Sequence, residues 1–124
     1  MRTRACGLML REGKVLLQRR RNETIWALPG GRLETGETAE MALIREFREE
    51  LGWDVQLGRR LWEIENVFTH EGLDIRQSEV CIAVSSNAPL TVTDETLEFR
   101  WVSPAELPRL DVRPRVIRDR LFSS

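Results

Sequence analysis

Glu46, Glu49 and Glu50 stand close together at the far end of GRLETGETAEMALIREFREELGW, residues 31–53, straight after a glycine-rich turn. Ala39, Leu43, Phe47 and Leu51 recur at four-residue spacing, with Ile44 widening the stripe, so Ala39 to Leu51 reads as an amphipathic helix. At about 100° per residue the three glutamates share a stripe roughly 100° wide. Leu43 and Phe47 border it, which brings one edge of the acid cluster toward the core. Oxygen donors grouped on a rigid helix suit a hard divalent cation such as Mg²⁺ or Mn²⁺. A solvated acidic face answered by Arg45 and Arg48 would have the same spacing. Repulsion of about 0.2–0.5 kcal/mol per like-charged pair is too small to choose between them. The helix alone leaves both readings open.

The preceding loop, LPGGRLETGE, carries three glycines and no apolar cluster, so its backbone can approach a ligand closely. It lacks the Gly-Lys-Ser/Thr ending of a phosphate-cradling P-loop. Gly31, Glu37, Arg45, Glu46, Phe47, Glu49, Glu50, Gly52 and Trp53 together resemble the Nudix box, with aromatic Phe47 and Trp53 where Ile, Leu or Val is usual. The resemblance implies a Nudix fold, an α/β/α sandwich with a central mixed β-sheet. It also implies a metal-dependent hydrolase in which water attacks phosphorus in a nucleoside diphosphate linked to another moiety. By the same resemblance, Glu49 and Glu50 are the principal Mg²⁺ (or Mn²⁺) ligands, and Glu46 shares the metal or acts as general base. Arg45 orients a carboxylate, Glu46 or Glu37, and the Gly30 carbonyl adds a ligand.

Outside the box, relatives often place a carboxylate before a tryptophan-bearing strand. Glu95 before Trp101 matches that position, with Asp94 and Glu98 as neighbours able to substitute. Glu79 is a further candidate, because an acid inside the apolar SEVCIAV run needs a partner if buried. Among Arg19, Arg20 and Arg21, Arg20 is the choice for a phosphate contact, although a solvated charge run explains the three equally well. Trp62 and Phe68 are candidates to stack on a base, against the plainer reading of core aromatics. His70, in FTHEG, reads as a surface turn residue.

Absences narrow the substrate. The chain has no tyrosine, no proline between Pro29 and Pro89, and no asparagine after Asn87. These are markers of diadenosine polyphosphate, ADP-ribose and oxidised-guanine hydrolases respectively, and a (d)NTP or another small nucleotide remains the expectation. An ADP-ribose or nucleotide-sugar hydrolase is the alternative, followed by an isoprenoid-diphosphate isomerase or a non-catalytic nucleotide sensor.

Several elements must position these residues. Ala5–Leu10 and Val15–Arg19 flank REGK and read as a β-hairpin. IWALPGG reads as a short strand stopped by Pro29, and WEIENVFT, IRQSEVCIAV and EFRWV as strands, the second of them central. Thr38 is the expected N-cap of the carboxylate helix and Gly52 its C-terminal stop. Ser103, Pro104 and Glu106 read as a capping box opening a second helix. A closing helix is expected to bury Val116, Ile117, Leu121 and Phe122 on the sheet.

At 124 residues with 41% hydrophobic and 31% charged residues, one domain spanning 1–124 is expected. A net charge of −1 offers no general attraction to nucleic acid or anionic lipid, so the expected partner is a small nucleotide diphosphate. No apolar run approaches the roughly 20 residues that span a bilayer. Cys6 and Cys81 read as buried free thiols of a cytoplasmic protein. A homodimer is compatible with the sequence, but nothing in it marks an interface.

Overall fold

The computed structural model describes residues 2–89 and 94–121. Strand β1 (Arg2–Leu8) is followed by β2 (Leu10–Arg11), β3 (Lys14–Arg20), β4 (Ile25–Trp26) and β5 (Gly30–Arg32). Helix α1 (Ala39–Leu51) then leads to the long strands β6 (Gln56–His70) and β7 (Leu73–Ser85). Strand β8 (Leu97–Val102), a 3-10 turn (Leu107–Arg109), β9 (Asp111–Val112) and α2 (Arg115–Arg120) complete the described chain.

The central sheet has the order β5-β1-β7-β6 and is mixed, β1 running parallel to β7 and antiparallel to β5. A second sheet, β2-β3-β8, lies beside it, and β4 pairs with β9. Alternation along the strands divides the core into two layers. Ala5, Val80, Ile82, Leu16 and Phe99 pack with Leu43, Phe47 and Leu51 of α1. Cys6, Cys81, Val15, Leu17 and Val102 face the other way, toward Ile117 and Leu121. This is the expected α/β/α sandwich.

Local chemistry explains where the expectations fail. The first hairpin is only β2–β3, turned by Glu12 and Gly13, both at positive φ as a type I′ turn requires. Instead of pairing with β3, β1 crosses to the central sheet, where β5 and β7 take both its edges. The capping box does form, with Ser103 Oγ accepting from the Glu106 N–H at 3.3 Å and Glu106 Oε1 accepting from the Ser103 N–H at 3.3 Å. No α-helix follows it. Pro108 supplies no N–H for the next helical bond, and the chain takes a single 3-10 turn. Helix α2 buries Ile117 and Leu121, whereas Val116 is exposed, and Phe122 lies outside the described residues. His70 ends β6 instead of lying in the turn; Glu71 and Gly72 make that turn, again at positive φ. Cys6 and Cys81 are buried, free, and opposite one another on β1 and β7. Among the described residues no helix is long and apolar enough to cross a membrane.

Candidate active site

Helix α1 is fixed at both ends. Thr38 Oγ1 accepts from the Met41 N–H at 3.1 Å, and Gly52, in the left-handed region, closes the C-terminus onto Arg48 and Phe47 carbonyls. Burial of Ala39, Leu43, Phe47 and Leu51 sets the rotation of the helix. That rotation carries Glu46 and Glu50 toward β5 and leaves Glu49 more exposed.

Two glycines of β5 make room, one for the acids and one for β1. A Cβ on Gly31 would lie 2.4 Å from Glu46 Oε1, and one on Gly30 would lie 1.9 Å from the Ala5 carbonyl oxygen. Glycine at 31 lets Glu46 meet the sheet edge, and glycine at 30 lets β5 lie close against β1.

Arg45 ties the acids together. Its Nε and Nη2 donate to the two oxygens of Glu37 at 2.8 and 2.9 Å, and Nη1 donates to Glu46 at 2.9 Å and Glu49 at 3.3 Å. Nη2 also reaches the Arg32 carbonyl at 3.2 Å, so one guanidinium joins helix, loop and strand. The bonds from Arg45 and from the Glu34 N–H hold the Glu37 carboxyl down at about 2. Glu50 has the opposite environment. Burial, then the hydrogen-bonded contact and charge of Glu46, push its carboxyl up to about 9.

These acids line a cleft of about 880 Å³ whose other walls come from β1, β3, β7 and the segment before β8. Gly30, Gly31, Arg45, Glu46 and Glu50 share its lining with Arg4, Gln18, Arg20, Phe68, Gln77, Glu79 and Asp94. Among the described residues no three acidic, cysteine or histidine side chains already converge as a cation cage. The donor set nevertheless fits a hard cation. Burial and the contact with Glu46 make ionisation of Glu50 costly, a positive charge beside it relieves this, and Gly30 lines the same cleft.

The acids outside the helix separate clearly. Asp94 lines the cleft, its N–H bonded to the Glu50 carbonyl at 3.3 Å, and its charge acts on the Glu50 carboxyl. Glu95 is exposed and absent from the lining; its backbone carbonyl accepts from Arg21 Nε at 2.7 Å. Glu98 is paired with Arg19 at 2.9 Å. Glu79 is buried in the cleft wall, with Gln77 donating to it at 3.1 Å and Arg4 3.7 Å away.

Arg20 and Phe68 line the cleft as expected. Trp62 does not. Its register opposite Cys81 turns it toward the α2 layer, where Arg120 covers the ring at 5.6 Å. Sequence reading missed Arg4, Gln18 and Gln77 as cleft residues, since only strand register brings Arg4 opposite Glu79. A charge at Arg4 beside the apolar ACGL run was the one available signal.

The NUDIX domain family model matches residues 1–121. Nucleoside triphosphatase NudI of Escherichia coli O139:H28 (strain E24377A / ETEC) is 32% identical over 124 residues, covering 90% of this chain and 88% of that protein. A Bacillus subtilis (strain 168) protein provisionally named as an 8-oxo-dGTP diphosphatase is 32% identical over 108 residues, 86% of this chain and 70% of the relative. The crystal structure of a MutT NUDIX hydrolase from Burkholderia pseudomallei superposes with a TM-score of 0.78 at 22% identity, covering 98% of each chain. The chain belongs to the NUDIX domain family. Its activity is that of a pyrophosphohydrolase.

Proposed function

We propose that the enzyme is a metal-dependent hydrolase of nucleoside triphosphates, in which water attacks phosphorus at a diphosphate linkage. The observation that carries this reading is the contact of Glu46 with buried Glu50 in a cleft that Arg4 and Arg20 also line. The names of the two curated relatives support the triphosphate class.

Glu46 and Glu50, with the Gly30 carbonyl and Glu49, would hold Mg²⁺ or Mn²⁺. A bound divalent ion offsets the diphosphate charge and lowers the pKa of water. Glu46, to which Arg45 donates at 2.9 Å, would share the metal or accept the proton from the attacking water. Arg20, in the lining of the same cleft, binds a phosphate oxygen. Asp94, beside Glu50, takes the role that the sequence pattern gave to Glu95. The cytoplasm, with its reducing conditions and nucleotide pool, suits the paired free thiols Cys6 and Cys81.

A hydrolysis screen with Mg²⁺ or Mn²⁺ tests the reading across dNTPs, ADP-ribose, nucleotide sugars and dinucleotides. Expected is metal-dependent cleavage of one or more triphosphates, sharply reduced in Glu49→Gln and Glu50→Gln. Full turnover in both variants would sink the site, and full turnover in excess chelator would sink the metal requirement.

A further inference from the structure

Glu79 is 4% exposed, yet it lies in the cleft wall and is short of partners. Gln77 Nε2 donates to Oε1 at 3.1 Å, Arg4 Nη1 stands 3.7 Å from Oε2, and the Cys6 thiol is 3.9 Å away. An ionised carboxylate can accept about four hydrogen bonds. Only one bond here has ordinary length, and a buried charge left so thinly bonded is costly. The reaction proposed above does not use it.

Its position suggests what completes its bonding. Gly31, against which Glu46 rests, is on β5; β1 comes next and then β7, which carries Gln77 and Glu79. Two strand spacings of about 4.8 Å put Glu79 roughly 10 Å from the reacting end of the cleft. A nucleotide with its phosphates at Glu46 and Glu50 would bring its base toward this wall, where Phe68 adds an aromatic side.

We propose that Glu79, held by Gln77 and Arg4, reads the base, and that it selects one presenting two adjacent N–H donors, as guanine does. This rests on the nucleotide reading of the cleft. A carboxylate only accepts, so the N1–H and N2–H of guanine can meet its two oxygens side by side. Thymine and uracil flank their single N–H with carbonyl oxygens, which a carboxylate repels. Adenine and cytosine set a bare ring nitrogen beside their amino group. Glu79 touches no reacting atom and acts on specificity alone.

Binding of dGMP, dIMP and dTMP to the wild type and to Glu79→Gln, measured by titration calorimetry, tests the proposal. The wild type should bind dGMP about ten- to a hundredfold more tightly than dTMP, the range of hydrogen bonds to a charged group. Binding of dIMP, which lacks only the 2-amino group, should fall between them. In Glu79→Gln the ranking should collapse, and for dGTP hydrolysis KM should rise with kcat nearly unchanged. Because the comparison is a ratio within one preparation, partial unfolding of the variant cancels. Should the variant not fold at all, the wild-type dGMP-to-dIMP ratio decides. Equal wild-type affinities for dGMP and dIMP, no measurable dGMP binding, or an unchanged ratio in Glu79→Gln overturns the proposal. Guanine ranking without hydrolysis of any triphosphate would support it and overturn the proposed reaction; hydrolysis without ranking would do the reverse.

Discussion

Glu40 and Glu50 are the same residue type on one helix, placed in opposite circumstances. Glu40 sits in the first turn of α1, partly exposed, with both carboxylate oxygens bonded by Arg60 at 2.8 Å. That bonding, the helix start and the Arg60 charge bring its carboxyl down to about 2. Glu50, in the last turn, is buried and faces Glu46, and its carboxyl is pushed up to about 9. A carboxylate with its own cation is finished as a structural part. One pressed against a second carboxylate in a cleft is poised to take something positive. The first end of α1 anchors the helix, and the second end is where we propose the chemistry.

Glu50→Gln is the severest test of this contrast. It keeps the shape of the side chain and removes the charge, so kcat should fall about a hundred- to a thousandfold, the scale of losing one preorganised electrostatic group. Thermal stability should hold or rise in the metal-free protein, since a buried charge conflict has gone. Mg²⁺, which should raise the melting temperature of the wild type by mass action, should do so much less in the variant. Equal Mg²⁺ shifts in both proteins would break the assignment of Glu50 to the cation.

Gly31→Ala asks whether geometry matters apart from charge. Its Cβ would fall 2.4 Å from Glu46 Oε1, so the carboxylate must move while every acid is retained. Displacement of a reacting group by about 1 Å can cost on the order of a hundredfold. Steady-state kinetics should show that loss mainly in kcat, with circular dichroism unchanged. Arg45→Lys is milder. It keeps the positive charge but cannot bond both oxygens of Glu37 and also reach Glu46 and Glu49. A loss of about tenfold in kcat is expected on the general-base scale. A variant as active as the wild type would mean that the fork does not position the acids.

How much of this was legible in the sequence depends on the range of the contact. Helix α1, its caps and its buried stripe were readable because each depends on residues within a few positions of one another. The Arg45–Glu37 bond followed from the family resemblance and is also local. The position of β1 was not readable, because a short apolar strand next to a turn looks the same whichever sheet it joins. The pattern pointed to Glu95 with Asp94 as a neighbour able to substitute, and that Asp94 is the one lining the cleft was not readable for a related reason. Neighbouring acids in a polar loop differ only in which one the fold turns inward, and here the bond from the Asp94 N–H to the Glu50 carbonyl turns that residue in. Trp62 and Phe68 look equivalent as strand aromatics, and only their positions along β6 put one, partly buried, against the α2-side core and the other in the cleft.

The smallest expected effect lies at the quiet end of the helix. Removing the Glu40 charge in Glu40→Gln should cost about 0.2–1 kcal/mol, the range for exposed ion pairs, since both partners are well hydrated and salt screens them. For a protein of this size that is a melting shift of a few degrees at most. Its pH dependence identifies the source. The folded carboxyl titrates near 2, below the ordinary glutamate value near 4.3, so the folded state favours the charged form. The stabilisation is therefore complete above about pH 4.3 and disappears as the pH falls toward 2. Melting curves of wild type and Glu40→Gln should be separated at neutral pH and converge across that window, while kcat stays the same in both. A large drop in kcat would show that the two ends of α1 are not divided between anchoring and chemistry.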